Sequence, residues 1–200
     1  MAGGFIQETE GIYRLRVPFD RIYTSVFLLQ TNEKIILVDC ASSASDVDAQ
    51  IVPALSDLGY SLNRVDILVI THRHSDHIGG LERILQLAPG MTVVSEVRPL
   101  CDSISTYPMP GHTNDAVGVL DTRTRTLISG DGLQGAGVDK YPCSIINSDG
   151  YQQTLTEIAQ NENIENILFS HAYAPWHQDA AMGRHKVLEC LAACKNYIGG

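Results

Sequence analysis

Two hundred residues with 44% hydrophobic composition can bury one full core, and nothing in the composition points to disorder or a fibrous repeat. A formal charge of -9 repels polyanions and offers no basic stripe for a phosphate backbone, which excludes nucleic acid as a first expectation. No apolar run approaches the roughly 20 residues needed to span a bilayer, and Met1-Ala2-Gly3-Gly4 lacks the basic start and apolar core of a signal peptide, so a cytoplasmic protein with no membrane partner is expected.

The chain opens with antiparallel strands. Residues 5–17 and 23–31 read as strands joined through the turn-like Pro18-Phe19-Asp20, and Lys34 to Asp39 forms a third after Thr31-Asn32-Glu33. Ser42, Ser43 and Ser45 offer N-caps for a helix over 46–58, in which Val47, Ile51, Ala54, Leu55 and Leu58 recur at helical spacing before Gly59 stops it. Strand 65–70 follows, then a polar loop. Leu81, Ile84, Leu85 and Ala88 share one face of a short helix that ends before Pro89-Gly90, and residues 91–95 form a strand.

For 96–108 the pattern suggests a turn of helix and then a strand. Residues 116–120 and 126–129 read as a hairpin, 132–147 as a Gly-rich polar loop, 149–162 as a helix, 166–170 as a strand and 179–197 as a final helix. Each half therefore runs from several strands into a helix-strand-helix ending. That order predicts a single α/β domain over 1–200, a four-layer αββα sandwich of two mixed sheets packed face to face with helices outside. The five cysteines, Cys40, Cys101, Cys143, Cys190 and Cys194, are an odd set that argues for reduced thiols, with Cys190 and Cys194 buried on one apolar helix face.

The loop after strand 65–70 reads Thr71-His72-Arg73-His74-Ser75-Asp76-His77, three imidazoles and a carboxylate within six positions. Histidine with carboxylate suits zinc and similar first-row ions, whereas thiolate-rich sets suit purely structural zinc. His112 on a Pro-Gly turn, Asp131 after Leu127 to Gly130, and His171 after Ile167 to Ser170 occupy the same setting, each just past an apolar strand. Taken singly they read as ordinary turn or solvated residues. Together with the first loop they make seven candidate ligands, too many for one four-coordinate ion, and two metals sharing Asp131 is the economical arrangement.

In these residues the chain resembles the metallo-β-lactamase superfamily over nearly its whole length. The family's His-x-His-x-Asp-His signature stands as His72, His74, Asp76 and His77, and its later single ligands match His112, Asp131 and His171. The resemblance implies that His72, His74 and His112 bind one metal and Asp76, His77 and His171 the other, with Asp131 bridging and Asp39 orienting a ligand histidine by hydrogen bonding. Zinc is the first expectation, with iron or manganese also suited. A bridging aspartate places the chain nearer the thioesterase and lactonase side, which includes glyoxalase II. Only 29 residues follow His171, too few for the helical glutathione-binding domain of glyoxalase II, so a compact member with an open cleft is expected.

Such a site predicts a dinuclear hydrolase in which a bridging hydroxide attacks a small ester, thioester or lactone, with Asp76 moving a proton. An iron-dependent redox enzyme such as a persulfide dioxygenase is the alternative, and a phosphodiesterase or nuclease a more distant one. Tyr23, Lys140, Tyr141, Tyr173, Trp176 and His177 are the candidates for substrate contact, and His171 is preferred to His177 as a ligand because it follows its strand directly. One decoy is set aside: Gly130-Asp131-Gly132-Leu133-Gln134-Gly135 spells a dinucleotide fingerprint, but Gly137 and Pro142 follow where that motif requires a helix.

Overall fold

The computed structural model describes residues 3–134, 145–173 and 177–198. The chain divides into two compact units, Met1–Ser95 and Glu96–Gly200, and each is built on a six-stranded mixed sheet.

In the first unit, strands β1 (Ile6–Thr9), β2 (Ile12–Phe19), β3 (Ile22–Gln30), β4 (Ile35–Val38), β5 (Ile67–Val69) and β6 (Thr92–Val94) lie in sequence order. The pairs from β1 to β4 are antiparallel, and β4–β5 and β5–β6 are parallel. The stretch expected as one strand over 5–17 is two, because Glu10-Gly11 turns the chain and Gly11 takes a φ of 71°. Parallel neighbours need crossovers, and helices supply them. One runs over Ala44–Asp46, a π-helical Val47–Ile51 and Val52–Asp57. Its Ser43 cap and Asp46 are reciprocal: Ser43 Oγ accepts from Asp46 N at 3.2 Å and donates to the Asp46 carboxylate at 2.8 Å. The wide π turn stands just before Pro53, whose ring and missing N–H would disrupt a regular α-helical turn. Val47, Ile51, Ala54 and Leu55 of this helix pack with Leu15, Val26, Leu28, Leu37 and Leu68 of the sheet in one buried cluster. Each of the Val, Leu and Ile side chains contributes about 1.5–3 kcal/mol of burial.

The second unit orders its strands β12 (Ala180–Met182), β11 (Asn166–Leu168), β10 (Thr126–Ile128), β9 (Val117–Asp121), β8 (Ile104–Pro108) and β7 (Pro99–Cys101). Only β10–β11 is parallel, crossed by helix Ser148–Gln160. The passage 96–108 is a β7–β8 hairpin rather than helix and strand. The final helix begins at Arg184, not 179, because Ala180–Met182 adds an edge strand to β11 and Gly183, at φ 86°, breaks away from it. At the β9–β10 turn, the Asp121 carboxylate accepts from its own chain at Arg123 N (2.9 Å) and from the Arg123 side chain (3.0 Å), as an aspartate-led turn should. Tyr151, Leu155 and Ile158 pack with Leu127, Ile167, Phe169, Val187, Cys190 and Cys194 in the second cluster. The thiols of Cys190 and Cys194 are thus buried as expected, and both lie against the Gln134 carbonyl, at 3.4 and 3.5 Å. Among the described residues no helix is long and apolar enough to cross a membrane.

Candidate metal centre

Apart from His112, the chemistry-bearing residues sit past the carboxyl ends of strands with a parallel neighbour, where α/β sheets generally place their ligands. Asp39 follows β4, Thr71 to His77 follow β5, Asp131 follows β10 and His171 follows β11.

In the first unit the chain leaves β4 through Asp39 and Ala41 with φ of 62° and 61°. Non-glycine residues in this left-handed region cost on the order of 1–3 kcal/mol each and persist only where surroundings over-determine them. Here they do. Asp39 N–H continues the ladder to Val69 O at 2.8 Å, and Cys40 N–H donates to His77 O at 2.9 Å. Gly79 and Gly80 permit this approach: a Cβ on either would stand 2.0 Å from Ser42 O or 2.2 Å from Cys40 O. The short helix Ser75–Ile78 can therefore lie directly against residues 40–42.

Its one turn carries Asp76 and His77 into buried positions, while His74 at its N-cap stays exposed. His72 is buried at the strand end. The four groups converge: the His72 ring centroid lies 4.6 Å from that of His74 and 4.1 Å from that of His77, and His77 Nε2 lies 3.4 Å from Asp76 Oδ2. Behind them stands Asp39, 1% exposed. It accepts from Thr71 N and Thr71 Oγ1, both at 2.8 Å, and from His77 Nδ1 at 2.7 Å. Thr24 on β3 donates to Asp76 Oδ2 at 3.0 Å and fixes that carboxylate's orientation.

In the second unit three loops converge on one carboxylate. His112 Nε2 lies 3.7 Å from Asp131 Oδ2 and His171 Nε2 lies 3.2 Å from Asp131 Oδ1, all three residues being buried. The turn carrying His112 needs glycine at 111, where φ is 150° and a Cβ would meet the Tyr151 ring at 2.5 Å. The Gly111 carbonyl accepts from Ile146 N and Asn147 N at 2.9 and 3.1 Å, and Thr154 Oγ1 donates to Pro110 O at 3.0 Å, so helix Ser148–Gln160 holds the turn. Asp131 lies in a 3-10 turn, Gly130–Gly132, and not at the opening of an α-helix, against a dinucleotide site.

His171, not His177, stands beside Asp131; His177 is exposed at φ 49°. The Tyr173 ring is 6.0 Å from that of His171, and its hydroxyl faces Gln134 Nε2 at 3.5 Å. Tyr23 packs under the Arg16 guanidinium, 5.5 Å from ring centroid to carbon. Lys140, Tyr141 and Trp176, like Cys143, lie outside the described residues. Sequence reasoning missed Thr71, Thr24 and Gln134. Thr71 carried a signal, a hydroxyl between an apolar strand and the first histidine; Thr24, on an ordinary antiparallel strand, carried none.

Residues 20–96 match the family profile described as the metallo-beta-lactamase superfamily. Among solved structures, the metallo-β-lactamase FIM-1 of Pseudomonas aeruginosa in its mono-zinc form aligns with a TM-score of 0.75 at 18% identity, over 99% of this chain and 97% of that one. The chain is thus similar to the metallo-β-lactamase superfamily in residues 20–96 and in fold. Its fold is the expected α/β arrangement of two mixed sheets with helices. Among proteins of known sequence it is similar to the uncharacterized protein YobT of Bacillus subtilis, 26% identical over 150 residues, which cover 56% of this chain and 62% of YobT. It is also similar to a hydroxyacylglutathione hydrolase of Francisella tularensis, 28% identical over 136 residues, covering 60% of this chain and 54% of that enzyme. The chain thus spans less than two thirds of the length of these relatives.

Proposed function

We propose that this chain is a dinuclear metal-dependent hydrolase acting on a small ester, thioester or lactone. The observation that carries the reading is Asp131, whose two oxygens each face the Nε2 of a different histidine, 3.7 Å to His112 and 3.2 Å to His171. A carboxylate placed between two ligand histidines suits a residue shared by two ions. The donor chemistry fits the group: imidazoles and carboxylates, all but His74 buried and with no thiolate among them, match zinc, and equally iron or manganese. His77 gives its Nδ1–H to Asp39, which leaves Nε2 as its basic nitrogen, the state a ligand must have.

In this reading His72, His74 and His112 would hold one ion and Asp76, His77 and His171 the other, with Asp131 between them. When bound, two such ions would supply a water of lowered pKa and polarisation of a substrate carbonyl. Asp76, its carboxylate oriented by Thr24, takes the proton of the attacking water and returns it to the departing alcohol or thiol. Tyr173, beside His171, is the best-placed described side chain for substrate contact, and the acidic chain favours a small molecule over nucleic acid. Similarity to a hydroxyacylglutathione hydrolase supports the thioester side of the range.

The test is metal analysis of protein purified without added metal, followed by a panel of esters, thioesters, lactones, β-lactams and phosphodiesters. About two ions per chain and turnover of one of the first three classes are expected. A single iron with oxygen uptake on a persulfide would replace this reading with a dioxygenase. Asp76→Asn should depress turnover well beyond its loss of metal; proportional losses would remove the proton role.

A further inference from the structure

We infer that Thr71 is a positioning residue through which the single carboxylate of Asp39 sets the tautomer of two histidines, His72 as well as His77. The inference rests on the reading of those histidines as metal ligands only for its purpose, and its geometry is independent of that reading.

Asp39 is buried, and an ionised carboxylate only accepts. Its Oδ2 lies 2.7 Å from His77 Nδ1 and 2.8 Å from Thr71 Oγ1, so in both contacts the proton belongs to the partner. His77 is therefore protonated on Nδ1, and the one hydroxyl proton of Thr71 is committed to Asp39. Thr71 Oγ1 also lies 3.1 Å from His72 Nδ1. With its proton already given, the hydroxyl can serve His72 only as an acceptor, so His72 carries its proton on Nδ1. The reverse assignment, Thr71 donating to His72, would leave two oxygen lone pairs facing each other at 2.8 Å in a buried site.

The hydroxyl has little freedom to choose otherwise. Asp39 Oδ1 grips the Thr71 backbone N–H at 2.8 Å while Oδ2 grips the hydroxyl, a two-point clamp on a β-branched side chain that is stiff at χ1. The remaining contact, Thr71 Oγ1 to His77 Nδ1, is 3.5 Å and adds nothing, because that N–H already points at Asp39. Both histidines thus present a basic Nε2 before any ion arrives. In the proposed ligand division they serve different ions, so one carboxylate prepares both: directly for His77, and through Thr71 for His72.

Tautomers are read in metal-free protein labelled with 15N-histidine, by long-range proton–nitrogen correlation at about pH 8, above the ordinary histidine range. Wild-type protein should show His72 and His77 both protonated on Nδ1. In Thr71→Val, which keeps the shape and removes the hydroxyl, His77 should keep that tautomer and His72 should lose it. One of two zinc affinities, titrated against a chromophoric chelator, should fall about 10–100-fold, the usual effect of removing a ligand's hydrogen-bond partner. Thr71→Ser should restore both readouts. An Nε2-protonated His72 in the wild type overturns the inference even if Thr71→Val fails to fold, as does an unchanged His72 in a folded Thr71→Val. Tautomers that respond as expected in a protein binding no zinc would leave the relay standing and overturn the metal reading instead.

Discussion

The two units build their sets of candidate ligands in opposite ways. In Met1–Ser95 one loop supplies four groups within six residues, and three of them, His77, His72 and Asp76, are braced from behind by Asp39, Thr71 and Thr24 through contacts of 2.7–3.1 Å. In Glu96–Gly200 three separate loops each supply one group, and the described link among them is the Asp131 carboxylate in front. The first half is organised by residues that would not touch an ion; the second is organised by a residue that would. Contiguity in sequence makes a site cheap to pre-form, because the backbone fixes the spacing, whereas scattered ligands need a shared partner to converge.

That contrast predicts unequal responses to substitution. Asp131→Ala should have the largest effect: it removes the proposed shared ligand and the partner of both His112 and His171, and metal affinity should fall by more than the roughly 100-fold upper range for a supporting residue. Calorimetric zinc titration and metal content check it, and an unchanged stoichiometry would mean that the second half is not organised by its carboxylate. Asp39→Asn should be milder, about 10–100-fold, but should weaken both ions, since His77 and, through Thr71, His72 lose their acceptor. If only one affinity changes, the bracing in the first half is local to His77.

Next in size is a backbone effect. Gly79→Ala places a Cβ 2.0 Å from the Ser42 carbonyl, where neither side is a flexible side chain, and it should cost about 3 kcal/mol or more in denaturant unfolding. Gly59→Ala has nothing within 4 Å and suffers only from its φ of 81°, so it should cost about 1 kcal/mol. Equal losses would show that the close packing of the first half's loop is not what the glycines serve.

The same contrast decides what was legible in the sequence. His72, His74, Asp76 and His77 announce themselves because three imidazoles and a carboxylate in six positions at a strand end form a dense pattern that suits a metal ion. His112, Asp131 and His171 are single residues whose meaning depends on topology: β10 and β11 bring Asp131 and His171 side by side, and no local pattern encodes that the two strands are parallel neighbours. Helices over 46–58 and 149–162 were legible from apolar spacing within a residue or two. The strand Ala180–Met182 was not, since Ala-Ala-Met suits a helix equally well and its strand state is decided by the open edge of β11. Thr71 and Thr24 escaped for a related reason: a hydroxyl that braces a ligand has no signature apart from what it touches.

The smallest effect tests whether the first half really stands without metal. Cys40 lies behind the histidine loop, with its Sγ donating to the His77 carbonyl at 3.2 Å. Burial, reinforced by the neighbouring Asp39 charge, pushes its thiol well above the ordinary cysteine range. A raised pKa means less thiolate at any given pH, and thiolate is the species that alkylates. At about pH 8 iodoacetamide should therefore label the half-buried Cys101 and leave Cys40 unmodified, as mass spectrometry of the peptides would show. A chelator should not change this, because the groups that close over Cys40 are the backbone of residues 77–80 and the Asp39 network, none of which needs an ion to form. Labelling of Cys40 on chelation would mean that the loop is held by its ligands rather than by its bracing, and the distinction between the two halves would disappear.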